Sequence, residues 1–293
     1  MKPAPFEYYA PATMDEALAL LAEHGYEAKA LAGGQSLIPM MNFRLVQPSV
    51  LVDLNNIGGL AHITPGADGS LRIGALTRHN QVETSAVAEQ YAPLIHFAMQ
   101  KIAYPAVRTR GTFGGSLAHA DPSAELPALC TALNGRFRLI SGRGERWVSA
   151  DEFFISLFTT ALEPDELLAE AEIPAMPPRS GWSLMETARR PHDFALMGVA
   201  AVVALDEQGR CADARIVFLS AGEKPMSAQK AAEALRGQSP SAEAIRAAAE
   251  SAAANEIDPA DDIHGTAKFR RHLANVLCRR ALEQAFQRAA GEK

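Results

Sequence analysis

The chain has 293 residues, 48% hydrophobic and 21% charged, which supports a sizeable buried core and excludes a disordered chain. That length fits two domains at roughly 150 residues each, or three small lobes. Twenty-eight basic residues against 34 acidic ones leave a net charge of −6, which argues against a general nucleic-acid binder. Cys130, Cys211 and Cys278 stand far apart without a C-x-x-C pair. They supply neither a zinc site nor a four-thiolate iron–sulfur cluster, and a disulfide framework is equally unsuited to them. A cytoplasmic location is expected from this cysteine usage. Pro3, Pro5 and Glu7 interrupt the N-terminus, so it does not read as a secretory signal. The longest apolar run, Ala195–Leu205, falls short of the roughly 18 residues of a membrane span.

Along the chain, Thr13-Met-Asp-Glu16 has capping-box spacing ahead of Leu18 and Leu21 on one helical face, and Gly25 is placed to end that helix. Ala28–Ala32 predicts a strand running into Gly33-Gly34-Gln35-Ser36, and Val50–Leu54 a second buried strand. The pair forms a small parallel βαβ unit. Leu71–Ala75 predicts a short strand, and residues 77–103 are largely helical in pattern. Asp121-Pro122 reads as the N-cap and first position of a helix through Leu133. Phe137–Ile140 and Leu167–Ile173 predict strands, and the three prolines of Pro174–Pro178 mark a linker. Beyond it, Trp182–Arg189, Gly198–Asp206 and Ala212–Ala221 predict three successive strands. Residues 228–254 are alanine-dense and helical, and a last long helix carries Phe269, Leu273, Leu277, Leu282 and Phe286.

Two glycine-rich segments carry the chemistry. Ala32-Gly-Gly-Gln-Ser36 follows a strand, where paired glycines permit a tight bend and bring backbone N–H groups close to an anion. Gly111-Thr-Phe-Gly-Gly-Ser116 is a second such turn some eighty residues on. There is no Walker lysine and no G-x-G-x-x-G, so neither nucleotide hydrolysis nor the ordinary dinucleotide fingerprint is indicated. Two such turns suit a pyrophosphate gripped from two sides by backbone dipoles and hydroxyls. The eight histidines show no metal-ligand spacing and default to the surface; His119, just after the second glycine segment, is the one to watch.

The segments LAGGQSLIPMMNFRL, TFGGSLAHADPSAELPAL, PDELLAEAEIP and ARRPHDFALMGVAAVVAL occur in that order. Together they resemble the FAD-binding medium subunit of the molybdenum hydroxylases, the family of xanthine dehydrogenase and carbon monoxide dehydrogenase. The resemblance spans nearly the whole chain. It implies an α+β fold: a PCMH-type FAD-binding region over residues 1–177, with a small parallel α/β subdomain (1–55) and a mixed α+β subdomain (56–177). A C-terminal lobe over 178–293 then carries a three-stranded antiparallel sheet and helices.

By the same resemblance, Ala32, Gly33, Gly34, Gln35, Ser36 and Leu37 form the first FAD loop. Thr112, Gly114, Gly115 and Ser116 form the second, and both hold the pyrophosphate. Ile102, Ala103 and Leu168 are apolar positions beside the cofactor. Glu125 stands where many relatives have an aspartate on an FAD hydroxyl, and Asp193 and Phe194 line the isoalloxazine side. Leu37 and Leu168 equally suit an ordinary core, and Arg189, Arg190 and Asp193 a solvated ion pair. No residue of this chain is implied as catalytic. The resemblance further implies a large molybdopterin-binding subunit and a small subunit with two [2Fe–2S] clusters as partners, in a heterotrimer or its dimer. FAD would collect electrons from those clusters and pass them to NAD, a quinone, a carrier protein or oxygen. Asn42-Phe-Arg-Leu45 resembles members acting on N-heterocyclic aromatics. A free-standing flavin oxidoreductase and a non-catalytic nucleotide-binding protein remain the alternatives.

Overall fold

The computed structural model describes residues 2–291. A three-stranded parallel sheet opens the chain: β1 (Glu7–Tyr9), helix α1 (Met14–His24), β2 (Ala28–Leu31), helix α2 (Leu37–Asn42) and β3 (Val50–Asp53), in the order β1-β3-β2. The predicted βαβ unit is thus present, and β1 adds a strand that its short, proline-flanked sequence does not announce. The capping box forms as predicted. Thr13 Oγ1 accepts from the Glu16 N–H at 3.3 Å and the Glu16 carboxylate accepts from the Thr13 N–H at 3.3 Å. Ala17, Leu18 and Leu21 then bury against Val50 and Val52, and full burial of each leucine contributes about 1.5–3 kcal/mol.

A five-stranded antiparallel sheet follows, its neighbouring strands in the order Ile63–Pro65, Leu71–Gly74, Leu167–Ile173, Arg136–Ser141 and Gly144–Ser149. Its first strands are β4 (Ile63–Pro65) and β5 (Leu71–Gly74). The helical stretch after them is a set of short helices, α3 (His79–Glu83), α4 (Ala86–Tyr91) and α5 (Pro93–Met99), then α6 (Pro105–Arg108), α7 (Phe113–His119) and α8 (Glu125–Ala132). The α8 N-terminus differs from expectation. Asp121 is not its N-cap, because Asp121 Oδ1 accepts from Ser123 N at 2.8 Å in a separate turn and the cap falls at Ala124. Next come β6 (Arg136–Ser141), β7 (Gly144–Ser149), α9 (Ala150–Phe153), the small hairpin β8 (Phe154–Ser156) and β9 (Thr159–Thr160), and β10 (Leu167–Ile173).

Every residue of β10 is buried although its sequence is LLAEAEI. A bulge between Leu168 and Glu170 shifts the alternation. Leu168, Ala171 and Ile173 consequently face one core, and Leu167 and Ala169 the core of the N-terminal sheet. The glutamates lie on the opposite face beneath arginine arms, with Glu172 held by Arg72 at 3.0 Å and Arg136 at 2.7 Å.

The C-terminal lobe holds β11 (Ser180–Thr187), β12 (Met197–Leu205) and β13 (Cys211–Leu219), the three strands expected, plus a two-residue fourth, β14 (Met226–Ser227). All pair antiparallel in the order β11-β12-β13-β14. The alanine-rich segment is two helices, α10 (Gln229–Leu235) and α11 (Ala242–Asn255), because Gly237 at φ +77° and Pro240 interrupt it. The final helix α12 (Ala267–Ala289) packs on β11 and β12. The other sheet face contributes Leu184, Ala200, Val217 and Leu219 to the core that also contains Phe137 and Leu139. Coverage on both faces explains why β12 reads as the longest apolar run of the sequence. Among the described residues, no helix is long and apolar enough to cross a membrane.

The approach of β11 to α12 is closest at Gly181, where a Cβ would lie 1.9 Å from the Ala285 carbonyl oxygen. Gly181→Ala should therefore cost about 1–3 kcal/mol through overpacking. Urea unfolding checks this, and an unchanged midpoint would contradict the packing described.

Candidate cofactor site

The first glycine segment joins β2 to α2. Gly34 takes φ +72°, a left-handed conformation that glycine adopts without a Cβ penalty. At Gly33 a Cβ would lie 2.3 Å from the Arg110 carbonyl oxygen, so this loop is packed directly on the chain entering the second glycine segment. Among the described residues, no backbone carbonyl accepts from the N–H groups of Gly33, Gly34, Gln35, Ser36 or Leu37. The Gln35 side chain folds back onto the Gly33 carbonyl at 3.2 Å. Gly33, Gly34 and Gln35 of this row line a cleft of about 320 Å³, together with Ile38, Asn42, Asp53, Asn55 and Arg110. Five consecutive unclaimed donors, three of them on residues lining a cleft, suit a phosphate.

The second segment is the start of helix α7 rather than an open loop. Thr112 caps it, its Oγ1 accepting from Gly115 N at 3.1 Å. Phe113 N donates to the Thr77 carbonyl at 2.9 Å, Gly114 N to Ala75 at 2.9 Å and Ser116 N to Thr112 at 3.1 Å. Its amides are thus engaged internally, and its glycines serve close packing. A Cβ on Gly114 would lie 2.4 Å from the Ala75 Cβ, and one on Gly115 would lie 3.8 Å from the Ala32 Cβ. The two glycine segments meet there. What the second can offer a ligand is the bare face of Gly115 and the Ser116 hydroxyl.

A set of side chains absent from the sequence reading clamps the segments together. Asn55 Nδ2 donates to the Ala32 carbonyl at 2.8 Å. Arg78 donates to both the Arg110 carbonyl and Asn55 Oδ1. The buried His79 donates its backbone N–H to the Gly111 carbonyl at 3.0 Å, and its Nε2 lies 3.0 Å from the Thr112 carbonyl. A carbonyl only accepts, so the ring proton sits on Nε2. Burial lowers the imidazole pKa to about 4 and keeps it neutral. This is one histidine that departs from the expected surface placement; His119 is half-buried with its ring 5.0 Å from that of Phe158. Asp53 accepts from Tyr8 Oη at 2.6 Å and from Asn55 N at 2.9 Å, and these bonds help hold its carboxyl below the usual range. The polar residues Asp53 and Asn55 at the end of a buried strand were the available signal for this clamp.

A second cleft, of about 530 Å³, lies between the end of α5 and the loop following β11, and Lys101, Glu186, Arg190, His192 and Asp193 line it. Asp193 pairs with Arg190 at 2.9 Å, whereas Phe194 is 69% exposed and lies outside the cleft lining. Ile102 is buried beside this cleft. Ala103 takes φ +48° and is held there by Arg108, whose Nη1 donates to the Ile102 and Ala103 carbonyls at 3.2 and 2.7 Å. Leu168 is a residue of the core that also contains Ile102 and Leu117, and Leu37 is half-buried at the start of α2. Glu125, the first residue of α8, is buried and makes no side-chain hydrogen bond or ion pair among the described residues. Burial, reinforced by nearby Glu186, raises its pKa to about 8, with its own backbone N–H and Lys101 opposing the rise and Asp121 adding to it.

Two predictions follow from this geometry. Gly33→Ala would force the Arg110 carbonyl away and should weaken FAD binding at least about tenfold, read as a fall in bound flavin absorbance; full flavin occupancy in the folded variant would contradict the contact. Folded Glu125 keeps its proton up to about pH 8 and the unfolded chain only to about 4.5. The folded state therefore binds more protons between those values, and stability falls as pH rises through that window. Glu125→Gln should lose that slope and be more stable than the parent at pH 8 by on the order of 2 kcal/mol. Parallel stability curves for parent and variant would contradict the burial of an unpaired carboxyl.

Residues 4–176 match the FAD binding domain in molybdopterin dehydrogenase, and residues 182–285 match the CO dehydrogenase flavoprotein C-terminal domain. The chain is 42% identical over 293 residues to the 6-hydroxypseudooxynicotine dehydrogenase complex subunit alpha of Paenarthrobacter nicotinovorans, covering 100% of this chain and 98% of that one. Among solved structures, carbon monoxide dehydrogenase from Hydrogenophaga pseudoflava superposes with a TM-score of 0.95 at 38% identity, covering 98% of this chain and 99% of the other. Quinoline 2-oxidoreductase from Pseudomonas putida 86 gives 0.92 at 39% identity, with 99% of each chain covered. The continuous cradle of free amides, the two glycine segments in contact and these end-to-end matches agree, and the chain belongs to the FAD-binding medium subunits of the molybdenum hydroxylases, as a flavoprotein component of a multi-subunit oxidoreductase.

Proposed function

We propose that this chain is the FAD-carrying electron-transfer subunit of a molybdenum hydroxylase complex. It takes electrons from the [2Fe–2S] clusters of a small partner subunit and delivers them to an external acceptor, while a large subunit hydroxylates substrate at a molybdopterin centre. The observation that carries the reading is the row of unclaimed N–H groups from Gly33 to Leu37 beside an open cleft.

FAD, when bound, supplies the capacity to accept an electron pair and pass it on. The chain's own residues bind and orient it. The amides of Gly33, Gly34, Gln35, Ser36 and Leu37, with Ala32 beside them, hold the pyrophosphate. Gly115 and Ser116 face it from α7, with Thr112 and Gly114 fixing the first turn of that helix. Ile102 and Ala103 wall the flavin side, with Leu168 an apolar position of the same core. Glu125 donates or accepts at a cofactor hydroxyl, and Asp193 and Phe194 border the flavin from the loop after β11. The FAD-binding region extends to about residue 177 and the C-terminal lobe from 178, a division supported by the proline-rich connection between β10 and β11.

Cys130, Cys211 and Cys278 are buried singly on α8, β13 and α12, each with burial raising its thiol pKa. Iron–sulfur clusters are therefore assigned to a partner, in a heterotrimer or its dimer, working in the cytoplasm. The substrate class we favour is an N-heterocyclic aromatic. Two of the similar proteins carry names that denote such compounds, and Asn42 of the Asn42-Phe-Arg-Leu45 stretch lines the first cleft.

Purified from cells that also express its neighbours, the chain should bring down an iron–sulfur protein and a larger molybdopterin protein. It should also release FAD on acid treatment. A colourless chain that ignores added FAD, or one that turns over substrate alone, would overturn the reading.

A further inference from the structure

The first cleft presents an electrostatic problem for the ligand that its amides suit. Asp53 lines it, and its carboxyl is held below the usual range, so a full negative charge sits on the wall beside the phosphate cradle. A pyrophosphate adds two more negative charges, and like charges at close range in a partly enclosed cleft repel strongly. Loop amides supply only partial positive charge. The second glycine segment adds little, because the N–H groups of Phe113, Gly114, Gly115 and Ser116 are all engaged within the protein.

One cation stands among the residues lining that cleft, Arg110. Its backbone is immobilised: its carbonyl accepts from Arg78 and packs against Gly33. Its side chain is exposed, and among the described residues it makes no hydrogen bond and no ion pair within 4 Å. Its charge is felt by Asp53 on the cleft wall, whose carboxyl it helps lower, and by Arg78 behind the wall, whose guanidinium is lowered by burial and then by Arg110. Arg78 cannot take its place, being engaged by the Arg110 carbonyl and Asn55.

Resting on the FAD assignment above, we propose that the Arg110 guanidinium closes the cradle, pairing with a non-bridging oxygen of the FAD pyrophosphate opposite the Gly33–Leu37 amides and offsetting Asp53. A guanidinium matches phosphate geometry with two parallel N–H donors, and such charge-assisted bonds are the strong ones. The clamp gives the residue a positioning role as well. Because the Arg110 backbone is the surface on which Gly33 rests, the cation and the amide row are set by one contact and cannot drift apart.

The full-length chain, stripped of flavin, would be titrated with FAD and separately with ADP, which carries the pyrophosphate without the flavin, over a range of KCl concentrations. Arg110→Ala should weaken both ligands about 10- to 100-fold and make the salt dependence of binding shallower, because one cation–phosphate contact is lost. Arg110→Lys should restore the salt dependence and part of the affinity, and its unchanged melting temperature would separate loss of binding from loss of fold. Wild-type affinity and salt dependence in Arg110→Ala would overturn the proposal, as would weakening of FAD with ADP unaffected, which would place the residue on the flavin side. If the parent chain itself takes neither ligand, the FAD assignment fails rather than the role of Arg110.

Discussion

The contact of the Gly33 backbone with the Arg110 carbonyl is the constraint on which the site depends. It joins the parallel N-terminal sheet to the helical segment that leads into α7, and it exists only because residue 33 has no Cβ. Arg78 and Asn55 fasten the same junction from behind, one on the Arg110 carbonyl and the other on the Ala32 carbonyl. Hydrogen bonds of this kind are individually modest in net stability, and here three of them converge on one junction. The junction is therefore set in one geometry, and the amides on either side of it inherit fixed directions.

Backbone hydrogen bonding then divides the labour between two segments of similar sequence. Both contain Gly-Gly and a serine, yet only the first keeps its N–H groups free, because the strand before it ends and no carbonyl stands opposite. The second lies alongside Thr77 and Ala75, whose carbonyls take its first amides. One glycine pair is a ligand surface and the other a packing surface.

The remainder of the molecule holds this junction rigid. The bulge in β10 lets one strand face two cores, so the sheet of the larger subdomain and the parallel sheet share a boundary. On its solvent side, arginines cover buried glutamates that would otherwise be desolvated charges without partners. The C-terminal sheet completes the same core with Leu184, Ala200 and Val217 and brings Glu186 near the buried Glu125.

Local signals were sufficient for much of this. The Thr13 cap, the βαβ unit around Gly33-Gly34, the strands at 167–173 and 182–219 and the proline linker are set by hydrogen-bond caps, alternation and fixed backbone angles within a few residues, so the sequence by itself determined them. The sequence likewise shows three isolated cysteines, one fewer than a four-thiolate cluster needs. The tertiary structure alone decided that the 112–116 segment is helical with its amides engaged and that Asp121 is not a helix cap. It alone brought Asn55, Arg78, His79 and Arg110 to the cradle. Those contacts join residues 23 to 33 positions apart, and whether an amide is free depends on which carbonyl folding places opposite it, which no local pattern encodes.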